Sequence, residues 1–164
     1  MDHERALLSP IASRADFHKA IVAAFERAAQ QGCREIFICD TDFADWPLGE
    51  RAVVTALTQW AYKHRRLTVL ASSFDEILRR HPRWVEWRRN WGHVVECRSI
   101  DDVEAEKVPR LWFAPGLQAV RLVDPLHYRG FIDEAQADLI SIREQIDEIA
   151  NRSTPAFPVT LLGL

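Results

Sequence analysis

Between residues 16 and 31 the apolar positions Phe17, Ile21, Ala24, Phe25 and Ala28 recur at helical spacing, which predicts an amphipathic helix. Ser13 or Asp16 can cap its start, and Gly32 suits the left-handed residue just past its end. The pattern then changes. Ile36-Phe37-Ile38-Cys39 is a short apolar, β-branched and aromatic run, and it predicts a buried strand over 35–39. Pro47-Leu48-Gly49 leads into a second helix over 50–65, with Val53, Val54, Leu57, Trp60 and Ala61 inward. "RLTVLASS", 66–73, predicts a second buried strand. The helical stretch 74–91 contains Pro82, which either divides it or supplies the first turn of its second segment. "HVVECRS", 93–99, predicts a third strand. Strand–helix–strand–helix–strand with short joints is the rhythm of a parallel sheet covered by helices.

Beyond residue 100 the rhythm shortens. "RLWFA" (110–114) and "LQAVRLV" (117–123) flank Pro115-Gly116 and predict a β-hairpin. Residues 134–150 predict a last amphipathic helix with Leu139, Ile142, Ile146 and Ile149 inward. The expected fold is α/β: a mixed, mostly parallel sheet flanked by helices, with a late β-hairpin and a C-terminal helix. One domain is expected over 1–164, with 152–164 an apolar tail that packs back or is exchanged with a partner subunit.

Composition narrows the function. The net charge of −3 and pI of about 6.1 give no global basic signal for nucleic acid or an anionic membrane. Charge is nonetheless uneven: residues 51–98 carry ten Lys/Arg against four Asp/Glu, and residues 99–151 carry five against eleven. Such asymmetry can mark a binding face or two halves that face each other. Cys33, Cys39 and Cys97 are scattered, without CxxC or His/Cys ligand spacing, so neither a zinc site nor a disulfide framework is expected. No metal or other cofactor is expected. Met1–Arg5 lacks the segments of a signal peptide, and no run approaches the ~20 apolar residues of a membrane span. The expected location is cytoplasmic.

In open α/β sheets ligands bind beyond the carboxyl ends of the strands. Those ends offer Asp40, Thr41, Asp42 and Asp45; then Ser72 and Ser73; then Ser99, Asp101 and Asp102. The set resembles the haloacid-dehalogenase phosphohydrolases. That resemblance implies an Asp40 nucleophile, an Asp42 acid/base, a phosphate-binding serine and Mg²⁺ held near Asp101. The residue types suit it, since a carboxylate can be phosphorylated and Mg²⁺ prefers oxygen ligands. Against it, Phe43 and Ala44 stand where that family has a small Gly-Thr step. No lysine lies between Ser73 and Asp101. The plain alternative is a capped loop running into the helix after Gly49.

"REIFICDTDFADWPLG", "RLTVLASSF" and "LQAVRLVDPLHYRG", followed by a helix and "NRSTPAFPVTLLGL", give the chain a second resemblance. From about residue 14 to 150 its layout is similar to half of the phospholipase D fold, as in the domains that follow some bacterial acetyltransferase domains. This implies a homodimer. The family's His-x-Lys-x4-Asp motif is absent from the hairpin; only His127, Arg129 and Glu134 show its spacing, with Arg for Lys and Glu for Asp. The resemblance therefore implies a degenerate active site.

"RRHPRWVEWRRNWGH", 79–93, sets Trp84, Trp87 and Trp91 on one helical stripe among Arg79, Arg80, Arg83, Arg88 and Arg89. It offers either base stacking beside cations, with Arg83, Arg88 and Arg89 as nucleic-acid candidates, or a core stripe with a solvated arginine rim. No Gly-rich phosphate loop or nucleophile elbow is present. The expectation is a non-catalytic binding or regulatory module, with no catalytic residues. Its ligand candidates are Asp40, Asp42, Asp45, Ser72, Ser73 and Asp101, and a protein partner is possible. The alternative is a Mg²⁺-dependent phosphohydrolase using Asp40 and Asp42.

Overall fold

The computed structural model describes residues 8–62 and 64–158. An edge strand, β1 (Leu8–Ile11), precedes the first helix, α1 (Arg14–Gln31). Ser13 caps α1 by accepting the Asp16 N–H at 3.0 Å, and Gly32 ends it at φ +69°. Next come β2 (Glu35–Asp40), α2 (Arg51–Trp60) and β3 (Arg66–Ala71). The stretch after β3 splits at His81 into α3 (Asp75–Arg80) and α4 (Pro82–Asn90), with Pro82 in the first turn, where its missing N–H costs nothing. β4 (Val95–Ser99), β5 (Arg110–Ala114), β6 (Gln118–Asp124) and β7 (Arg129–Asp133) follow, then α5 (Gln136–Arg152) and a two-residue strand, β8 (Thr154–Pro155).

The eight strands form one sheet in the order β1-β7-β6-β5-β2-β3-β4-β8. Only β2–β3 and β3–β4 are parallel; the other five pairings are antiparallel. The expectation of a mostly parallel sheet is corrected here. Parallel strands need a crossover of a dozen or more residues, which α2 and the α3–α4 pair supply. After β5 the joints are too short for that, so each strand doubles back. β1, β7 and β8 are strands that the apolar pattern does not predict.

One face of the sheet packs Ile36, Ile38, Val69, Trp112 and Val120 against α1, α2 and α4, burying Trp60 and Trp84 completely. On the other face, Phe37, Leu70, Leu111 and Phe113 meet Leu139, Ile142 and Ile146 of the single helix α5. Each fully buried side chain of this size contributes about 1.5–3 kcal/mol. The described part of the tail returns to its own domain. Ala156 donates to the Cys97 carbonyl at 3.0 Å, and Phe157 stacks on Phe74 at 5.3 Å between ring centroids. The rest of the expected tail, 159–164, lies outside the described residues. No helix among those residues is long and apolar enough to cross a membrane.

Candidate functional site

β2 delivers Asp40 to its carboxyl end, where the side chain is buried. One carboxylate oxygen accepts the backbone N–H groups of Asp42 (3.2 Å) and Phe43 (2.8 Å), and the other accepts from Arg110 at 3.1 Å. Arg110 reaches it because β5 runs antiparallel beside β2, with Cys39 opposite Leu111. Burial pushes the Asp40 carboxyl above its ordinary value; Arg110 and the two amides pull it part of the way back. Asp42 in turn accepts the Ala44 N–H at 2.9 Å.

This folds the loop tightly over Phe43, which takes φ +60° and is completely buried, edge-on to Trp46 at 4.8 Å. A left-handed backbone at a non-glycine residue costs roughly 1–2 kcal/mol. Burying the ring returns a similar or larger amount. The Phe43 carbonyl is also held by His81 Nε2 at 2.7 Å. The position that a phosphohydrolase keeps small is thus a core aromatic.

Asp40, Asp42 and Asp45 line one cavity of about 30 Å³, together with Arg110 and Tyr128. That is room for a water or two. The serines brace the loop: the amides of Ser72 and Ser73 donate to the Thr41 carbonyl at 2.9 and 3.1 Å, and the Ser73 hydroxyl accepts the Asp75 N–H. Asp101 stands on an exposed turn after β4. Among the described residues no group of three or more His, Cys, Asp or Glu side chains could hold a metal ion. Asp40, Asp42 and Asp45 are therefore brought together, while Asp101 is not joined to them as a metal site. The His127, Arg129, Glu134 spacing also disperses, with His127 bound to Asp124 at 2.8 Å and Glu134 to Arg27 at 2.7 Å.

The tryptophan stripe is mostly interior. Trp84 and Trp87 are buried and Trp91 is half-buried. Arg83 donates to the Gly49 carbonyl at 2.6 Å, and Arg89 pairs with Glu86 at 3.1 Å. Arg88 is buried with its guanidinium carbon 4.7 Å from the centre of the Phe157 ring. The aromatic faces that would stack on bases are already packed.

A larger opening lies on the other face of the sheet, where α5 leaves β6, β7 and β1 only partly covered. Its strand-end part, about 240 Å³, is lined by Lys107, Leu111, Arg121, Val123, Ile142 and Gln145 among others. A second part, about 310 Å³, shares Arg121, Val123, Ile142 and Gln145 and extends to Leu8, Phe131, Asp133 and Asp138. The two adjoin at those four shared residues and are treated together as a groove. Register explains it: Arg121 pairs with Phe131, Ala119 with Asp133, and Leu8 with Asp133, so alternate residues of three strands face the same side. Leu8, Val123 and Phe131 remain exposed there. Among the described residues no carboxylate lies within 4 Å of Arg121.

Comparison with known proteins gives the fold a neighbour. No family model and no curated protein sequence matches the chain. Among solved structures it is similar to TrmBL2, an archaeal chromatin protein described as showing a novel mode of DNA binding. The TM-score is 0.64 at 10% sequence identity, over 91% of this chain and 54% of that one. The chain thus spans about half of TrmBL2's length. The expected membership of the phospholipase D-like family is corrected: no family model supports it, and the similar structure named above is that of a chromatin protein described as binding DNA. At this identity the likeness establishes the fold alone.

Arg110, Arg121, Tyr128, Asp133 and Asp138 were not among the sequence candidates. A signal existed for one of them: Arg121 interrupts the apolar run "QAVRLV", and a lone charge inside a strand must face solvent or a cleft. Arg110 and Tyr128 carry no comparable local mark.

Proposed function

We propose that this chain is a binding or regulatory module without catalytic chemistry of its own, and that its ligand site is the groove between α5 and the β6–β7–β1 face. Its ligand is a small organic anion. The observation that carries the reading is Arg121: an exposed guanidinium that lines both openings beside Val123 and Ile142, with no carboxylate within 4 Å among the described residues. Lys107 adds a second cation at the strand-end part, itself 3.5 Å from Glu104. An arginine can hold a carboxylate or a phosphate through two parallel hydrogen bonds.

The strand-end cavity supports this assignment indirectly. Its roughly 30 Å³ is too small for a substrate, and Asp40 is committed to Arg110 and to two backbone amides. A phosphohydrolase would need that carboxylate open to attack phosphorus. Nucleic acid, which TrmBL2 binds, finds less support in this chain, because Arg79 and Arg89 are paired locally and Arg88 is buried. The test is calorimetric titration with short aliphatic and aromatic carboxylates against the wild type and Arg121→Gln. Binding by the wild type that drops at least tenfold in the variant supports the reading. Equal binding by both, or binding by neither, overturns it.

A further inference from the structure

The tail after α5 runs along the outer edge of β4 as a narrow strap. Arg98 anchors its base, donating to the Ser153 hydroxyl at 2.6 Å and to the Ser153 carbonyl at 2.8 Å. Thr154 and Pro155 then pair antiparallel with Ser99 and Arg98, and Ala156 donates to the Cys97 carbonyl at 3.0 Å. The Phe157 ring stacks on Phe74, 5.3 Å between centroids and 16° between planes, and the Arg88 guanidinium carbon stands 4.7 Å from its centre. An extended peptide docks on a sheet edge in this way: backbone pairing supplies attachment, and a side chain in a pocket supplies choice.

The tail fits the place it fills poorly. Phe157 takes φ +47°, a left-handed backbone that a non-glycine residue adopts only at a cost. Arg88 is 5% exposed, yet its Nε has no hydrogen-bond acceptor. Among the described residues no carboxylate lies within 4 Å of its guanidinium. A buried cation without an anion is costly, and the face of a ring returns less than a charge-assisted hydrogen bond does. A carboxylate arriving together with an aromatic ring would satisfy both Phe74 and Arg88.

We infer that this edge of β4 is a docking site for an extended segment of a partner protein, one with an aromatic residue and an acidic residue next to it, and that the chain's own tail fills the site until that partner arrives. The partner's ring takes the place of Phe157 against Phe74. Its backbone takes the place of Thr154–Ala156 along β4, and its carboxylate gives Arg88 an acceptor. A nucleobase also stacks on aromatic and guanidinium faces, but the backbone pairing with β4 favours a peptide. Phe74, Arg88 and Phe157 line neither part of the groove beside α5, so this inference stands apart from the anion-binding reading.

The test is fluorescence anisotropy with a labelled peptide of the tail sequence RSTPAFP and two versions of it carrying Ala156→Asp or Pro158→Asp. Each is titrated with the wild-type chain and with Phe157→Ala, which vacates the place of the ring. At least one aspartate peptide is expected to bind about tenfold more tightly than the parent, and to bind Phe157→Ala about tenfold more tightly than the wild type. Its binding to the wild type should speed amide exchange at Ala156, whose N–H it displaces from Cys97. Arg88→Met in the Phe157→Ala background should erase the advantage of aspartate and spare the parent peptide. If Arg88→Met does not fold, exchange at Ala156 decides, and exchange left unchanged by the peptide overturns the inference. Equal affinity for wild type and Phe157→Ala overturns it, as do aspartate peptides no tighter than the parent, or no binding at all. An oligothymidylate that binds Phe157→Ala more tightly than every peptide overturns it in favour of nucleic acid.

Discussion

The Asp40–Arg110 pair is the most informative place to perturb this fold. Asp40→Ala removes an acceptor for two amides and the partner of Arg110, within a side chain that is only 4% exposed. Breaking a buried ion pair by deleting one member costs about 3–5 kcal/mol. Each orphaned buried amide is worth about 1–3 kcal/mol on its own, but these losses overlap and do not add. Arg110 keeps 29% exposure and is rehydrated once the carboxylate is gone, so the low end, about 3 kcal/mol, is expected, as a shift of the urea midpoint at unchanged slope, followed by tryptophan fluorescence. Arg110→Met probes the same pair from the other side. It leaves the carboxylate buried with its amides but without its cation, so the folded Asp40 carboxyl, already raised, rises further. A carboxyl whose folded value is raised binds its proton more tightly in the folded state. Stability is then highest at low pH and is lost as pH climbs from the ordinary carboxylate value through the raised one. Arg110→Met should thus lose more stability than the wild type as pH rises above the ordinary carboxylate range. The reasoning fails if Asp40→Ala costs less than about 1 kcal/mol, or if the variant and the wild type share one pH slope.

Three other outcomes follow from the same geometry. Phe43→Ala should cost about 3–5 kcal/mol, yet Phe43→Gly should be no worse, because alanine alone bears the left-handed penalty at φ +60°; a clearly less stable glycine variant would refute the strain. Gly130→Ala would place a Cβ 1.9 Å from the Arg121 carbonyl oxygen, so the β6–β7 ladder must part. The expected signs are a loss above about 3 kcal/mol, rapid amide exchange in β7 and loss of groove binding. Burial pushes the Cys97 thiol up to about 12 and the Cys39 thiol higher still. Iodoacetamide at neutral pH should therefore label both only at the rate of unfolding, which mass spectrometry of timed samples measures.

How far the molecule can be read from its residues depends on whether the determining contact is local. The cap at Ser13, the left-handed Gly32 and the break at Pro82 are set within a few positions of themselves, and each stands where the pattern puts it. The three parallel strands are equally legible, as apolar runs between helical stretches. β1 and β7 are not: "LSPI" contains a proline and "RGFID" a glycine and two charges, and both become strands only by pairing with each other and with β6. Without them the pattern of apolar runs reads as a mostly parallel sheet. It also hides the partner of Asp40, since Arg110 arrives through an antiparallel register that no spacing along the chain encodes.

That register moves the proposed site away from the strand ends. In a parallel sheet the crevice beyond the strand ends is open because loops diverge there. In this chain the crevice is closed from both sides: Phe43 and Trp46 fill it from the β2 loop, and Arg110 and Tyr128 close it from the antiparallel half. The antiparallel strands meanwhile extend the sheet past the reach of α5, which buries only Leu139, Ile142 and Ile146. The open space lies instead on the face those strands leave uncovered, and the charges lining it, Arg121 on β6, Asp133 on β7 and Asp138 on α5, are brought together by the fold rather than by any motif. A site assembled this way depends on the β6–β7 register. A one-residue slip would turn Arg121 to the other face of the sheet, which ties the proposed binding directly to the integrity of that ladder.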